Sequence, residues 1–162
     1  MLDVYKIRKD FPILGKKVNN TDLIYFDNAA TSQTPNQVID VISSYYKENN
    51  SNIHRGLHSL SADATNKYEN SRSIIKNHFG AAHDHEIIFT SGTTHGINII
   101  SSGLEKLISS KDELIVSEME HHSNIVPWQM LCEKTGSKLK VIPINDDGTL
   151  DMNEYKLSLI HI

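Results

Sequence analysis

The sequence predicts an α/β fold in which a mostly parallel sheet is flanked by helices and preceded by an N-terminal helical segment. Three observations support this prediction. Residues 86–90 form a β-rich run, a Ser-Gly pair interrupts it, and apolar residues then recur at helical spacing up to Ile108. The same order of strand, break and helix repeats over 113–136, and a further strand follows over 138–144. Such alternation is typical of right-handed βαβ units.

Two helices are expected before this sheet. The first covers 34–49, because a Thr-Pro pair offers an N-cap and a first-turn proline and apolar residues then recur at helical spacing. The second covers 61–79 and is stopped by Gly80. After the last strand, residues 146–148 predict a turn, and residues 151–157 could begin another helix.

The composition favours a soluble cytoplasmic protein and disfavours two classes of function. With 38% hydrophobic and 22% charged residues among 162, the chain is typical of globular proteins. Its net charge of −4 and lack of a basic stripe argue against nucleic-acid binding. Apolar runs such as 114–116 fall short of the ~20 residues of a membrane helix. A single cysteine, Cys132, cannot form an internal disulfide, which favours a reducing compartment.

The segment Gly92-Thr93-Thr94 stands where an open α/β sheet binds anions, between the end of a strand and the start of a helix. Gly92 lets the backbone approach a phosphate, and the two threonine hydroxyls add donors to the unpaired amides of the first helical turn. A phosphate cup is therefore one interpretation of this segment. The other is that Thr93 merely caps the helix.

His121 follows the next predicted strand, so it is expected at the same edge of the sheet as the glycine-threonine segment. Its imidazole could stack on a flat ligand or move protons, because a histidine side chain titrates near neutral pH. A histidine that is simply solvated at the surface is the alternative interpretation.

Two further segments hold candidate ligand-binding residues. His54 and Arg55 lie in a loop between two helices, where a guanidinium could bind a carboxylate through two parallel hydrogen bonds. Ala29 and Ala30 follow the β-like run 23–26 and supply small side chains that could line a tight pocket. The alternatives are a surface turn at the glycine of the first segment and an Asx-turn in the second.

Nine histidines suggest a metal site as another alternative. His54 and His58 are four residues apart, but Gly56 lies between them and the sequence contains no His-Glu-x-x-His helix. The sequence therefore favours a metal site less than a phosphorylated ligand, and a metal-dependent hydrolase of phosphate ligands is kept as an alternative function.

Four longer motifs occur in order along the chain. They are YFDNAAT at 25–31, HRGLHSLS at 54–61, SGTTHGIN at 91–98 and EHHSNIVPWQ at 120–129. Taken together, these motifs resemble the class V aminotransferase family. Within that family the resemblance is strongest to the SufS-type cysteine desulfurases, also called selenocysteine lyases.

This resemblance implies part of the large domain of a fold-type I transferase that depends on pyridoxal 5′-phosphate (PLP). The implied enzyme is a homodimer that converts L-cysteine, or L-selenocysteine, to L-alanine. It passes the sulfur as a persulfide to an acceptor protein for iron–sulfur cluster assembly. PLP supplies the electron sink, so the protein must anchor the phosphate and orient the ring.

The resemblance also assigns roles to individual residues. Thr93 and Thr94 are implied to bind the PLP phosphate. His121 is implied to stack on the pyridine ring and to act catalytically by moving protons. Four residues are implied to border the substrate, namely Ala29, Ala30, His54 and Arg55. Arg55 is also implied to lie near the dimer seam.

The resemblance further divides the chain and reveals departures from the family. It implies an N-terminal helical segment over 1–22, the N-terminal part of the transferase domain over 23–156, and a tail over 157–162 that is expected to be non-native. Family members usually have Glu where His95 stands. The family's Schiff-base lysine and persulfide-forming cysteine are expected downstream of Ile162, so the chain alone is expected to be inactive; a non-catalytic interaction fragment is the alternative.

Overall fold

The computed structural model describes residues 2–159, which fall into two compact units that divide between Ile87 and Ile88. Within the described residues, no helix is both long enough and apolar enough to span a membrane. The predicted α/β class with helices flanking a parallel sheet is confirmed. The domain boundaries predicted at residues 22 and 156 stay predictions, and residues 160–162 of the expected tail lie outside the described part.

The first unit begins with local structure whose signals are readable in the sequence. Helix α1 (Val4–Arg8) starts where the Asp3 carboxylate accepts a hydrogen bond from the amide of Lys6. A short antiparallel hairpin follows, formed by β1 (Lys17–Val18) and β2 (Thr21–Asp22). Its two turn residues are asparagines with φ of 52° and 62°, as a type I′ turn requires.

Two longer helices complete the first unit and confirm the predicted pair, but the predicted Thr-Pro start of the first is wrong, because Pro35 is the N-cap and no side chain caps the helix. Helix α2 (Asn36–Ser44) continues into a π-helical turn over Tyr45–Asn49. Helix α3 (Ser59–Phe79) ends where predicted, at Gly80, which adopts the left-handed conformation with φ of 69°. Within residues 2–87, the side chains that are fully buried are those of Ser61 and Ala64.

The second unit carries the parallel pairing that defines the fold class. Strands β3 (Glu113–Ser117) and β4 (Lys138–Ile142) run parallel in a register that sets Glu113 opposite Lys138. The left-handed Gly136 ends the helix between the strands, as predicted. The elements of this unit are α4 (Thr93–Leu104), β3 (Glu113–Ser117), a 3₁₀ turn (His122–Asn124), α5 (Val126–Thr135), β4 (Lys138–Ile142) and α6 (Met152–Leu159).

The core of the second unit lies between this strand pair and α5. Val116 and Ile142 from the strands and Leu131 and Cys132 from α5 are buried. Helix α4 packs on the start of α5, where the buried Ser101 hydroxyl donates to the carbonyl of Pro127 at 2.9 Å. This packing holds α4 against the helix that follows β3.

The predictions of strands at 86–90 and 23–26 are wrong. Residues Asp84–Glu86 form a 3₁₀ turn, and neither 87–90 nor 23–26 is part of a strand. A β-strand is stable only when a neighbour satisfies its backbone groups, and within residues 2–159 no strand pairs with either run. Several apolar side chains in these runs are exposed, including Phe26 at 92% and Ile88 at 69%.

Candidate functional site

The turn that opens α4 adopts a conformation that only glycine accepts readily. Gly92 has φ of 140° and ψ of 174° and serves as the N-cap of α4. Its carbonyl accepts hydrogen bonds from the Thr90 hydroxyl and the Gly96 amide, both at 3.1 Å. A side chain placed on Gly92 would meet nothing within 4 Å, so open space lies on this side of the turn.

The N-terminus of α4 presents unused hydrogen-bond donors. No side chain caps it, and within residues 2–159 the amides of Thr93, Thr94 and His95 have no acceptor. Both threonine hydroxyls are likewise without a partner in this range, and all three residues are exposed. Free amides, hydroxyls and the positive end of the helix dipole together suit a phosphate dianion. The alternative interpretation, a helix capped by Thr93, is not what the geometry shows.

His121 lies after the carboxyl end of β3 and caps the 3₁₀ turn that follows. Its Nδ1 accepts a hydrogen bond from the amide of Ser123 at 3.2 Å and contacts the Ser123 hydroxyl oxygen at 2.9 Å. An amide can only donate, so Nδ1 carries no proton here and the proton of the neutral ring is on Nε2. The ring itself is exposed.

The residues around His121 form a hydrogen-bonded chain. Glu120 accepts from the Asn124 amide group and from the Ser117 hydroxyl, each at 2.8 Å, and Asn124 accepts from the Trp128 indole at 2.9 Å. The bonds from Asn124 and then from Ser117 hold the pKa of Glu120 below its usual value. Glu120 is therefore a fixed carboxylate that anchors the backbone on which His121 sits.

This chain of polar groups faces a cavity of about 570 Å³ within the second unit, a size typical of small-molecule sites. Its walls are mainly apolar and include Ile115, Ile142 and Tyr155. Thr93, Thr94 and His121 are not among its lining residues. The 3₁₀ turn after His121 does pack against α4. A hollow shared by the Gly92 turn and the His121 imidazole stays a prediction.

The loop before α3 holds His54 in a strained backbone conformation. Its φ is 66°, which is unusual for a residue other than glycine, and its amide donates to the Thr65 hydroxyl at 2.8 Å. The ring Nε2 lies 2.8 Å from Glu69, and the ring edge contacts Tyr68. Because a carboxylate only accepts, Nε2 carries the proton, and within residues 2–159 Nδ1 has no hydrogen-bond partner.

Glu69 accepts hydrogen bonds from two sides. It pairs with His54 and also accepts from Arg72 Nε at 3.0 Å. The hydrogen bond from His54, followed by that from Arg72, lowers the pKa of Glu69. This pairing orients the His54 ring and fixes which of its nitrogens faces outward.

Arg55 and the two alanines are exposed. Among residues 2–159, no carboxylate lies within ion-pair distance of the Arg55 guanidinium. Ala29 and Ala30 form a surface turn in which the amide of Ala30 donates to the Asp27 carbonyl at 3.2 Å. The Tyr25 hydroxyl donates to the Thr31 carbonyl at 2.9 Å and so closes this turn. An Asx-turn was the alternative for this segment; the observed turn is closed by backbone and tyrosine groups.

Sequence reasoning missed several of these partners. Glu120, Asn124 and Trp128 are four residues apart, so helical spacing could have linked them. Glu69 is fifteen residues from His54, and no local signal predicts their contact. In the described part of the chain, no three His, Cys, Asp or Glu side chains group in a way that could hold a metal ion.

Comparison with known proteins decides the family. The model of the class V aminotransferases matches residues 24–161, which is most of the chain. The chain belongs to the class V aminotransferase family. Within this family, proteins named probable cysteine desulfurase from Staphylococcus epidermidis and Staphylococcus aureus are 49% and 47% identical to it. Each comparison covers 97% of this chain and 38% of the relative, so the chain spans well under half of their length.

Solved structures of proteins named cysteine desulfurase are also similar to the chain. The chain is similar to an apo cysteine desulfurase from Thermococcus onnurineus, with a TM-score of 0.85, 39% identity, and coverage of 97% of this chain and 38% of that one. It is also similar to a cysteine desulfurase from Escherichia coli, with a TM-score of 0.77, 29% identity, and coverage of 98% and 39%. The predicted fold-type I architecture is thereby confirmed.

Enzymes of this family use PLP, and the donors at the start of α4 fit its phosphate. The donor set there consists of three amides and two hydroxyls that have no partner within residues 2–159, and Gly92 leaves the approach to them open. A dianion needs several donors at once, and a helix N-terminus without a cap supplies them.

Proposed function

We propose that this chain is the N-terminal part of a SufS-type cysteine desulfurase, a PLP-dependent enzyme that converts L-cysteine or L-selenocysteine to L-alanine. The observation that carries the proposal is 47–49% identity, over nearly the whole chain, to proteins named probable cysteine desulfurase. The uncapped start of α4 supports it independently, because a PLP enzyme must hold a phosphate.

Thr93 and Thr94 bind the cofactor phosphate in this proposal. Their amides and hydroxyls are unpaired within the described residues and exposed, so phosphate binding costs no existing hydrogen bond at these groups. When bound, PLP withdraws electrons from the α-carbon of the amino acid substrate. The protein's part at this end is to anchor the phosphate and thereby orient the ring.

His121 stacks on the cofactor ring and moves a proton at Nε2 in this proposal. Its Nδ1 is occupied by Ser123, which fixes the tautomer and the ring plane. Glu120, held by Asn124 and Ser117, keeps the preceding backbone in place. A histidine fixed in this way presents its Nε2 proton in one direction without first reorienting, and it releases that proton as another reaches Nδ1.

The substrate side falls to residues of the first unit. Arg55, which has no ion-pair partner within residues 2–159, offers a guanidinium for the amino acid carboxylate, consistent with either a substrate or a dimer-seam role. His54 presents Nδ1 because Glu69 holds Nε2. Ala29 and Ala30 contribute small side chains that would leave room for the substrate.

The larger setting is also part of the proposal. We infer that the enzyme acts as a cytoplasmic homodimer and passes persulfide sulfur to an acceptor protein for iron–sulfur cluster assembly. We infer too that the chain by itself does not catalyse the reaction. It spans 38% of the length of its relatives and contains no Ser-x-His-Lys segment, the setting in which the family resemblance places the Schiff-base lysine.

The phosphate assignment is tested by comparing PLP with pyridoxal, which lacks the phosphate, in fluorescence titrations of the purified chain. We expect PLP to bind more tightly, and the double variant Thr93→Val, Thr94→Val to reduce this advantage by roughly a hundredfold, since each of the two lost hydrogen bonds to a charged group is worth about 1.5 kcal/mol.

Ser59→Ala is the matched control, because it removes a hydroxyl from the first position of α3, where His58 already caps the helix. It should leave the PLP advantage unchanged. Equal binding of PLP and pyridoxal by the unmodified chain would contradict the phosphate assignment.

Inactivity of the isolated chain is tested by adding PLP and L-cysteine and measuring sulfide. We expect no sulfide above a reaction without protein. Steady sulfide release that disappears in a His121→Ala variant would show that the chain is catalytic alone and would overturn that part of the proposal.

A further inference from the structure

The turn at the start of α4 is held by a histidine side chain that folds back over it. His95 is the third residue of the helix, and its Nδ1 accepts a hydrogen bond from the amide of Ser91 at 3.2 Å. The Ser91 hydroxyl oxygen lies 3.0 Å from the same nitrogen. In an ordinary capping box, the third helical residue reaches back to the N-cap amide; here it reaches one residue further.

These contacts fix Gly92 from both sides. On its N-terminal side, the Ser91 amide is bound by His95; on its C-terminal side, the Gly92 carbonyl accepts from Thr90 and Gly96. Gly92 itself lies in a sparsely populated backbone region, with φ of 140° and ψ of 174°. A conformation of this kind persists only when surrounding contacts determine it. His95 supplies the contact on the N-terminal side of the turn.

The same geometry keeps the first-turn amides available. The His95 ring binds the amide before the cap and leaves those of Thr93, Thr94 and His95 itself without an acceptor in the described range. A backbone amide N–H can only donate a hydrogen bond, so Nδ1 is the acceptor and carries no proton. The proton of the neutral ring is then on Nε2. The Ser91–Gly92 turn is therefore held by a neutral side chain, which places no negative charge beside the amides proposed to bind a phosphate.

We propose that His95 is a positioning residue that holds the Ser91–Gly92 turn in the conformation in which α4 binds the cofactor phosphate. This inference rests on the proposed function for its ligand but not for its geometry. His95 acts through Ser91, and its part is to supply an acceptor at the position of Nδ1.

Three variants separate this role from a general effect of losing the ring. His95→Asn keeps an acceptor near the position of Nδ1, whereas His95→Gln moves the polar group outward and His95→Ala removes it. Hydrogen exchange at the Ser91 amide and the ¹⁵N signals of the His95 ring report the contact without any ligand. Titrations with PLP and with pyridoxal report the phosphate contribution.

We expect the Ser91 amide to be protected and Nδ1 to be unprotonated in the unmodified chain. Protection should be lost in the Ala and Gln variants and restored by Asn. The advantage of PLP over pyridoxal should fall roughly fivefold in Ala and Gln, the factor that corresponds to the loss of one hydrogen bond of about 1 kcal/mol, and recover in Asn.

An unprotected Ser91 amide in the unmodified chain would overturn the inference, and so would a PLP advantage that is the same in all four proteins. Equal affinities of the unmodified chain for PLP and pyridoxal would instead overturn the proposed function. The hydrogen-exchange and ¹⁵N measurements would still decide whether His95 holds the turn.

Discussion

The two segments proposed to bind ligands are held in different ways. The turn around Gly92 is fixed by hydrogen bonds between groups at most four residues apart, all within the segment from Thr90 to Gly96. The loop around His54 is tied to α3 by bonds that span eleven and fifteen residues, to Thr65 and Glu69. A turn held by its neighbours can form early and be recognised in a sequence, whereas the loop takes its shape only once α3 is in place.

The largest effect is expected from removing the hydroxyl of the buried serine that binds the backbone of the loop around His54. Ser61 is 1% exposed; its hydroxyl donates to the Asn52 carbonyl at 2.7 Å and accepts from the Gly56 amide at 3.1 Å. We expect Ser61→Ala to lower the free energy of unfolding by about 2–3 kcal/mol, because two backbone groups lose their partner. Urea unfolding followed by circular dichroism measures this loss.

Ser59→Ala, which removes an exposed hydroxyl two residues earlier, should change stability by less than about 0.5 kcal/mol. If the two variants were equally stable, long-range contacts would not be what holds the loop.

A smaller effect is expected from the turn in the second unit. Gly92→Ala places a side chain in open space but forces alanine into a backbone region that favours glycine. We expect a loss of about 1–2 kcal/mol in the free energy of unfolding, from backbone strain alone. The same urea titration measures it.

Gly103→Ala is the matched control for this change. Gly103 also has nothing within 4 Å of its would-be side chain, but it lies inside α4 with an ordinary φ. There alanine should stabilise by up to about 1 kcal/mol. A gain of stability at both glycines would mean that the Gly92 conformation carries no strain.

The smallest effect concerns the charges that orient His54. Since His54 and Arg72 lower the pKa of Glu69 in the folded chain, their contribution is present at neutral pH and is lost as pH falls through that lowered value. We expect Glu69→Gln to reduce stability slightly at pH 7 and to flatten its dependence on acid pH. Unfolding free energies between pH 7 and pH 3 test the sign.

Glu133→Gln is the comparison for that titration, because Glu133 is exposed on α5 and forms no ion pair within residues 2–159. It should leave the acid dependence nearly unchanged. An identical profile for both variants would contradict the role assigned to Glu69.

What the sequence predicts well follows the same division. Gly80 and Gly136 end their helices as expected because the left-handed cap is a local event. The parallel pairing of β3 with β4 follows from the strand–helix–strand order. Residues 86–90 have the composition of a strand, but strand formation needs a partner, which composition does not reveal.

The candidate site divides likewise. Gly92, Thr93 and Thr94 are recognisable from their place between an extended run and a helix, and the free donors expected there are present. The folding back of His95 depends on a single side-chain rotamer that no spacing rule fixes. The contact of His54 with Glu69 required the packed loop to be seen.

The burial of Cys132 makes the chain its own reporter of opening. This thiol is 6% exposed on α5, in the core of the second unit, and it is the only cysteine in the sequence. A thiol reagent reaches it only when that packing loosens. The rate of covalent labelling of Cys132 therefore measures how often α5 separates transiently from the sheet, and no engineered probe is needed.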